Sequence, residues 1–180
     1  ADVIEQSDVL LLQLETPIEA SLAAREIAIS AGTRVIFDPA PVIQSLPPKL
    51  FQVDLICPNE SEAMTLTDQK LESVEDAHSV AERLLTLGPK AVAITLGHQG
   101  TLLHDGRRSE LIETISVDAV DSTAAGDSFA GALAVRWSET DDLFEAVRFA
   151  NVAGAITAST LGAQPSLASR ERVESALARA

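Results

Sequence analysis

Four short, largely apolar segments constrain the fold of this chain more than any other feature. They are Asp8–Leu14 (DVLLLQL), Arg34–Phe37, Asp54–Cys57 and Lys90–Leu96. Each has the length of a β-strand and lacks the polar–apolar alternation of a strand with one solvated face, so each predicts a strand that is covered on both faces. Helix-like or turn-rich segments separate them, which is the rhythm of a parallel α/β sheet.

The segment after the first predicted strand has the signals of a capped helix. Thr16 is predicted as the N-cap, with Pro17 at the first helical position and Glu19 three residues after the cap. Because Gly32 follows directly, the helix is expected to end at about Ala31.

Further helices and a hairpin complete the predicted architecture. A helix is expected to begin at Ser73 and to end before Gly88. Thr101–His104 and Leu111–Val117 are separated by an Asp105-Gly106 turn and are typical of an antiparallel hairpin. Helices are also predicted over about 126–137, 143–160 and 169–179. We expect one domain over residues 1–180, a Rossmann-type, mostly parallel α/β sheet flanked by helices, with ligands beyond the carboxyl ends of its strands.

Charge and cysteine content limit the partners and the compartment. The formal net charge is -14, from 27 acidic residues against 13 Lys and Arg. This field repels nucleic acid and anionic membranes, so we expect neither as a partner, although backbone amides can still bind a small phosphate. No apolar run reaches the length of a membrane span. Cys57 is the only cysteine, which excludes an intrachain disulfide, favours a cytoplasmic protein and predicts a buried thiol.

The segment Ala119–Ala132 (AVDSTAAGDSFAGA) combines two acids with very small residues. The pattern predicts a strand that ends near Val120 and a helix that begins near Gly126. Amides at a helix start lack intrahelical partners and lie at the positive end of the macrodipole. Since Ala124, Ala125 and Gly126 have almost no side chain, an anion can approach their amides closely.

Asp127 admits two interpretations at this helix start. If the anion is a phosphoryl group in transit, the carboxylate can accept the proton of the attacking hydroxyl. Alternatively, Asp127 is an ordinary helix-cap acid and the alanines only permit tight packing of the helix on the sheet. The loop alone does not decide between them.

Longer motifs favour the first interpretation. Val120–Leu133 (VDSTAAGDSFAGAL) closely resembles the C-terminal signature of the ribokinase-like (PfkB-type) carbohydrate kinases. Other segments agree in chain order: LLQLETP (11–17), DPAP (38–41), PNESEA (58–63), ITLGHQG (94–100) and LGAQPS (161–166). Together they cover essentially the whole chain. Within the family, QLE, PAP and GAQPS are more similar to the members that phosphorylate ribose than to fructokinases or adenosine kinases.

The resemblance implies an ATP-dependent kinase that phosphorylates D-ribose at the 5-hydroxyl to give D-ribose 5-phosphate. Asp127 would contact the sugar and act as base, the amides of Ala124 to Gly126 would form the anion hole, and Glu15 would accept hydrogen bonds from sugar hydroxyls. Three alternatives stay open: a kinase for another sugar or nucleoside, a noncatalytic nucleotide-binding fragment, and Glu15 as a solvated acid before a helix.

The resemblance also implies a nucleotide site. Asn59 and Glu62 resemble the family's NxxE pair, in which Asn59 would contact phosphate and Glu62 would act on Mg²⁺ through its waters. Without the family, they would be an N-cap and an exposed helix acid, the TLGHQG loop a plain turn, and Asn151 a helix-surface residue. His98 is expected to be exposed and without a catalytic role. The implied ATP-binding residues are Asn59, Thr95, Leu96, Gly97, His98, Gln99, Gly100, Gly126 and Asn151.

Asp121 would organise a second ion site. In the family, the corresponding acid helps to hold a monovalent cation, usually K⁺, beside the anion hole, where it would fix the loop. At positions 157 and 160, the family acts mainly through backbone oxygens. The implied cation ligands are Asp121, Thr123, Thr157, Thr160, Gly162 and Ser166.

Family members are longer than this chain and begin with a sugar-binding glycine segment and a small β lid that often dimerises. We therefore expect this chain to be the C-terminal part of a longer kinase, incomplete at its N-terminus and homodimeric when full length.

Overall fold

A computed structural model describes residues 1–179 of the chain. Its strands are β1 (Val9–Leu12), β2 (Arg34–Phe37), β3 (Leu55–Ile56), β4 (Ala91–Thr95), β5 (Thr101–His104) and β6 (Ser109–Ile112). Its helices are α1 (Asp2–Glu5), α2 (Ile18–Ala31), α3 (Glu60–Thr67), α4 (Val74–Leu85), α5 (Ala125–Thr140), α6 (Leu143–Ala158) and α7 (Arg170–Leu177). Short 3₁₀ turns cover Pro48–Phe51, Gly97–Gln99 and Gln164–Ser166.

The strands form one sheet, in which they follow chain order from β1 to β6 over the described residues. β1 to β4 are parallel, and one row of the register joins Leu12, Phe37, Ile56 and Val92. β2 and β3 are almost wholly buried, as continuous apolar strands should be. β1, at one end of the strand order of the described residues, is half-buried along most of its length. The predicted mostly parallel α/β sheet is confirmed.

The chain divides into two compact units. The first comprises residues 1–96 and 102–111, and its core packs large apolar side chains of β2, β3 and β4 against α2 and α4. The second comprises residues 97–101 and residues from 112 onward, and in it α6 packs against α5 and α7. Phe149, Ile156 and Val173 belong to the core of this second unit.

The prediction that Thr16 caps α2 is wrong. Pro17 is the N-cap residue, because its backbone is extended at φ -53° and ψ 135° and the helix starts one residue later. The Thr16 hydroxyl lies 3.0 Å from the Ser21 hydroxyl instead. The predicted end is confirmed, since Gly32 adopts the left-handed conformation at φ 80°. Glycine ends a helix in this way without the steric penalty of a Cβ.

The hairpin is confirmed, but its second strand is misplaced in the prediction. β6 begins at Ser109 and ends at Ile112, and residues 113–122 have no regular structure, so no strand reaches Val120. The turn is tighter than expected because the Asp105 carboxylate accepts from the N–H groups of Arg107 and Arg108, at 2.9 and 2.8 Å. Those bonds return the chain to the sheet early.

The remaining helices lie close to their predictions. Ser73 caps α4 by accepting from the N–H of Asp76, and Ser169 caps α7 by accepting from the N–H of Arg172. Both agree with the role of a serine before a helical period. Among residues 1–179, no helix is both long and apolar enough to cross a membrane.

Candidate active site

In the first unit, polar side chains follow the carboxyl ends of four parallel strands. Gln13 follows β1, Asp38 follows β2, Asn59 follows β3, and Thr95 ends β4. Asn59 and Thr95 form a parallel bridge, and the Gln13 amide donates to the Asp38 carboxylate at 2.8 Å. Asp38 is buried. The carboxyl edge of the sheet is therefore polar, and hydrogen bonds link its residues in pairs. Ligands of open α/β sheets bind at this edge.

Gln13 and Asp38 were not predicted as site residues. A signal existed in the sequence, because Gln13 interrupts the apolar run DVLLLQL at the end of its strand. Glu15, the predicted sugar ligand, lies two residues further on and is exposed. Its exposure is compatible both with a ligand contact and with the solvated acid that the sequence left open.

Asn59 and Glu62 form a reciprocal capping box at the start of α3. The Asn59 side chain accepts from the N–H of Glu62 at 3.0 Å, and the Glu62 carboxylate accepts from the N–H of Asn59 at 2.8 Å. The N-cap interpretation of Asn59 is confirmed. The accompanying expectation of an exposed acid is wrong, because Glu62 folds back over the cap and is only 7% exposed. The assignments to phosphate and Mg²⁺ stay predictions.

In the second unit, the small-residue loop ends in a strained helix start. Ala124 is the N-cap of α5 and adopts the left-handed conformation at φ 60°, which costs an alanine about 1–2 kcal/mol. Alanine has no side-chain acceptor, so Ala124 cannot cap the amides of the first turn as serine or aspartate would. Gly126 and Asp127, in that turn, are both exposed. Strain of this kind is often found at functional sites.

One of the three predicted anion-hole amides is engaged within the loop. The N–H of Ala125 donates to the Ser122 carbonyl at 3.1 Å. Asp127 lies in the first turn of α5, at the positive end of the helix dipole. The assignments of Ala124, Ala125, Gly126 and Asp127 stay predictions, and Ala125 would have to exchange its partner to bind an anion.

Asp121 connects the loop before α5 to the loop after α6. Its carboxylate accepts from the N–H of Thr123 at 3.0 Å and from the N–H of Gly162 at 2.9 Å. The Thr123 hydroxyl, followed by these amides, holds the pKa of Asp121 below its ordinary value. Asp121, Thr123 and Gly162, which the sequence assigned to one cation site, are thus brought together within this unit.

Hydroxyl groups of the other predicted cation ligands have protein partners. The Thr157 hydroxyl donates to the Ser128 hydroxyl at 2.9 Å, and the Ser166 hydroxyl donates to the Ala163 carbonyl at 2.6 Å. Thr157 and Ser166 are fully buried. The N–H of Thr160 donates to the Thr157 carbonyl at 3.1 Å. Carbonyl and carboxylate oxygens are the ligands here that suit a hard cation best.

Asn151 is buried and hydrogen-bonded to other segments, so the helix-surface alternative is wrong. It is 6% exposed. Its side-chain oxygen accepts from the Thr101 hydroxyl at 2.6 Å, and its amide nitrogen donates to the Ile112 carbonyl at 2.7 Å. Its predicted place near adenine stays a prediction.

The remaining predicted nucleotide residues lie in and beside the turn after β4. Thr95 and Leu96 belong to the first unit, and Gly97–Gln99 forms a 3₁₀ turn of the second, in which His98 and Gln99 are exposed. The exposure predicted for His98 is confirmed. Gly100 has φ 105°, and a Cβ there would lie 2.2 Å from the Ile112 carbonyl oxygen, so only glycine fits.

The donor groups are compatible with Mg²⁺ only as a partner of phosphate. Among the described residues 1–179, no three or more His, Cys, Asp or Glu side chains cluster as a metal site. Mg²⁺ in nucleotide sites commonly relies on one or two carboxylates plus substrate phosphates and waters, a role open to Glu62. Cys57 is not a candidate ligand, because burial, followed by the charges of Asp38 and Glu62, raises the pKa of its thiol well above the ordinary value.

The sheet and its polar carboxyl edge define an α/β protein of the kind whose ligands bind beyond the strand ends. Similarity to known proteins identifies the family within this broad class. The chain belongs to the pfkB family of carbohydrate kinases, which it matches over residues 1–170.

Several ribokinases are among the similar proteins. A ribokinase of Staphylococcus aureus is 40% identical over 174 residues, which are 96% of this chain and 57% of that protein. The structure of a Thermotoga maritima ribokinase is 42% identical with a TM-score of 0.87, covering 98% of this chain and 59% of the other. An Arabidopsis thaliana ribokinase, solved with ribose and ATP, is 30% identical with a TM-score of 0.91 over 98% and 57%. The chain thus spans slightly more than half the length of these relatives.

Proposed function

We propose that the protein, in its full natural length, is an ATP-dependent sugar kinase that phosphorylates D-ribose at its 5-hydroxyl. Similarity to ribokinases over nearly the whole chain supports the reaction class and the sugar. The observation that carries the assignment is the start of α5, where a left-handed Ala124 is followed within one helical turn by the exposed Asp127. A plain packing helix gains nothing from such strain.

In this mechanism, Asp127 takes the proton of the sugar hydroxyl as its oxygen attacks the γ-phosphorus of ATP. The bond from that phosphorus to the bridging oxygen breaks, and ADP leaves. Amides at the start of α5 stabilise the negative charge on the transferring group, because they are oriented before the reaction and lie at the positive end of the helix. A carboxylate next to an anion hole is then useful, since its partner is the alcohol and not the phosphate.

The other predicted residues bind and orient. Glu15 is proposed to accept from sugar hydroxyls, and Asn59 and the turn after β4 to bind the nucleotide. Glu62 would hold Mg²⁺ through waters, and the bound ion would neutralise charge on the phosphates. K⁺ is proposed at the oxygens around Asp121 and Gly162, where it would stiffen the loop that begins α5. Homodimerisation and a cytoplasmic location are proposed on the family resemblance and the single cysteine.

Asp127→Asn tests the role of the base. We expect turnover with ribose, ATP, Mg²⁺ and K⁺ to fall by about 10²- to 10⁴-fold, because general-base catalysis contributes on that order. Binding of ATP, measured by calorimetry, should be retained. Turnover should be measured with ribose, fructose and adenosine as acceptors.

Asp142→Asn is the matched control for charge and helix position. Asp142 caps α6 by accepting from the N–H groups of Phe144 and Glu145, and asparagine preserves such a cap. Turnover of this variant should be close to that of the natural protein. Equal losses in both variants would contradict the catalytic role of Asp127, and preference for adenosine over ribose would refute the proposed substrate.

A further inference from the structure

The turn after β4 is held in place by a buried hydrogen-bond cluster around Asn151, in which Thr101 has no role in the proposed function. Thr101 and Asn151 are 0% and 6% exposed. The Thr101 hydroxyl donates to the Asn151 side-chain oxygen at 2.6 Å. The Asn151 amide nitrogen donates to the Ile112 carbonyl at 2.7 Å and, more weakly, to the Glu113 carbonyl at 3.4 Å.

This cluster joins three separate segments of the second unit. Thr101 begins β5 directly after the turn, Ile112 and Glu113 lie where β6 ends, and Asn151 lies on α6. A fourth bond runs from the Thr114 hydroxyl to the Asn151 carbonyl at 3.0 Å. Because the Asn151 side chain uses both its oxygen and its nitrogen in this way, its rotation is fixed.

Gly100 shows how closely the turn lies on its neighbour. A Cβ at this position would meet the Ile112 oxygen at 2.2 Å and the Thr114 nitrogen at 2.9 Å. The backbone of the turn can lie this close to residues 112–114 only because Gly100 has no side chain. The hydrogen bond of Thr101, the next residue, fixes the chain in this position. The turn itself carries no other buried polar anchor that the structure shows, since residues 97–99 are exposed.

We propose that Thr101 is a positioning residue for nucleotide binding, which acts by fastening the turn 97–100 to α6 through Asn151. This inference rests on the proposed function, because it takes the turn to be the nucleotide loop. A fully buried hydroxyl does not contact the nucleotide, so its effect passes through the backbone of the turn and through the orientation of Asn151.

Thr101→Val and Thr101→Ser test the proposal in the full-length protein. Valine keeps the shape but leaves the Asn151 oxygen without its donor, whereas serine keeps the hydroxyl. We expect valine to raise the KM for ATP and the directly measured Kd for ATP by roughly tenfold, the size of one buried hydrogen bond expressed as affinity. The KM for ribose and kcat should change by less than about twofold, and serine should restore most of the ATP affinity.

Thr33→Val is the matched control for losing a buried threonine hydroxyl. Thr33 is 6% exposed, donates to the Ile4 carbonyl at 3.0 Å, and lies at the amino end of β2, away from the polar carboxyl edge of the sheet. It should lower the unfolding temperature much as Thr101→Val does, without changing ATP affinity. An unchanged ATP affinity in Thr101→Val, or equal losses of ATP and ribose affinity, would overturn the proposal.

The failure of this inference can be distinguished from failure of the proposed function. If the unmodified protein phosphorylates none of the sugars, the function itself is wrong. If the unmodified protein is active and Thr101→Val binds ATP equally well, only the positioning role is wrong. If Asn151→Ala changes the preference between ATP and GTP while Thr101→Val changes nothing, Asn151 reads the base directly and the fastening role of Thr101 is refuted.

Discussion

At the scale of single residues, Asp121 has the best-defined electrostatics of the predicted site. Its lowered pKa means that the folded protein holds the ionised carboxylate more favourably than the unfolded chain does. The stabilisation is therefore complete above the unfolded value, near pH 4, and is lost as the pH falls through the lower folded value. At neutral pH the link between the two loops is intact.

Asp121→Asn should expose this dependence. We expect the variant to have a lower unfolding temperature than the natural protein by a constant amount between about pH 5 and 8, because an amide replaces the charged acceptor. The difference should begin to shrink below about pH 4, where the carboxylate of the unfolded chain takes up a proton, and should vanish only below the lower pKa of the folded protein. Thermal unfolding followed by circular dichroism across pH measures this, and a difference that does not shrink at all as the pH is lowered would contradict the assignment.

At the scale of elements, the start of α3 is expected to combine a structural and a binding role. Asn59→Ala removes the cap and should cost about 1 kcal/mol in the free energy of unfolding. Asn59→Asp preserves a cap acceptor, but it places a negative charge where phosphate is proposed to bind. It should therefore keep stability and raise the KM for ATP several-fold, as steady-state kinetics and urea unfolding would show.

Ser73→Ala provides the comparison for a cap without a binding role. Ser73 caps α4 by accepting from the N–H of Asp76. Its loss should destabilise the protein about as much as Asn59→Ala while ATP kinetics stay unchanged. If Asn59→Asp binds ATP normally, α3 is only capped by Asn59 and the phosphate contact is refuted.

The elements also show what the sequence could predict and what it could not. Continuous apolar segments identified β2, β3 and β4, because a strand that is buried on both faces needs apolar side chains at nearly every position. The irregular stretch 113–122 was not foreseen, since its apolar residues resemble a strand, and the Asp105 turn makes β6 begin at Ser109, earlier than predicted. The N-cap of α2 was missed because Thr16 and Pro17 carry competing signals.

The buried state of Asn151 could have been predicted from its surroundings. It stands in FANVAGAIT, an α6 segment in which nearly every residue is apolar. A helix that is apolar on most faces is buried on most faces, so its few polar residues are buried too and need hydrogen-bond partners. The identity of those partners, Thr101 and Ile112, depends on long-range packing that no local pattern records.

At the scale of the whole molecule, net charge and a specific cation effect can be separated. A net charge of -14 opposes compaction, so any added salt should raise the unfolding temperature by screening. If K⁺ binds at the predicted oxygens, KCl should raise it further than choline chloride at the same concentration, up to about 150 mM, because binding to the folded state adds stability.

Differential scanning fluorimetry of the natural protein and of Asp121→Asn in both salts makes the measurement. The extra increase with KCl should be lost in Asp121→Asn, whereas the screening increase should remain. Identical curves for the two salts in the natural protein would argue against a monovalent cation site, and they would leave the sugar kinase proposal to be judged on turnover.

Cys57 gives this fold a native reporter of its own opening. The thiol lies directly after β3 in the middle of the parallel strands, is 5% exposed, and is held protonated by its surroundings. Alkylating reagents attack the thiolate, so they can modify this position only in molecules whose sheet has separated. The rate at which this natural side chain is labelled would therefore report how often the sheet opens, without any introduced probe.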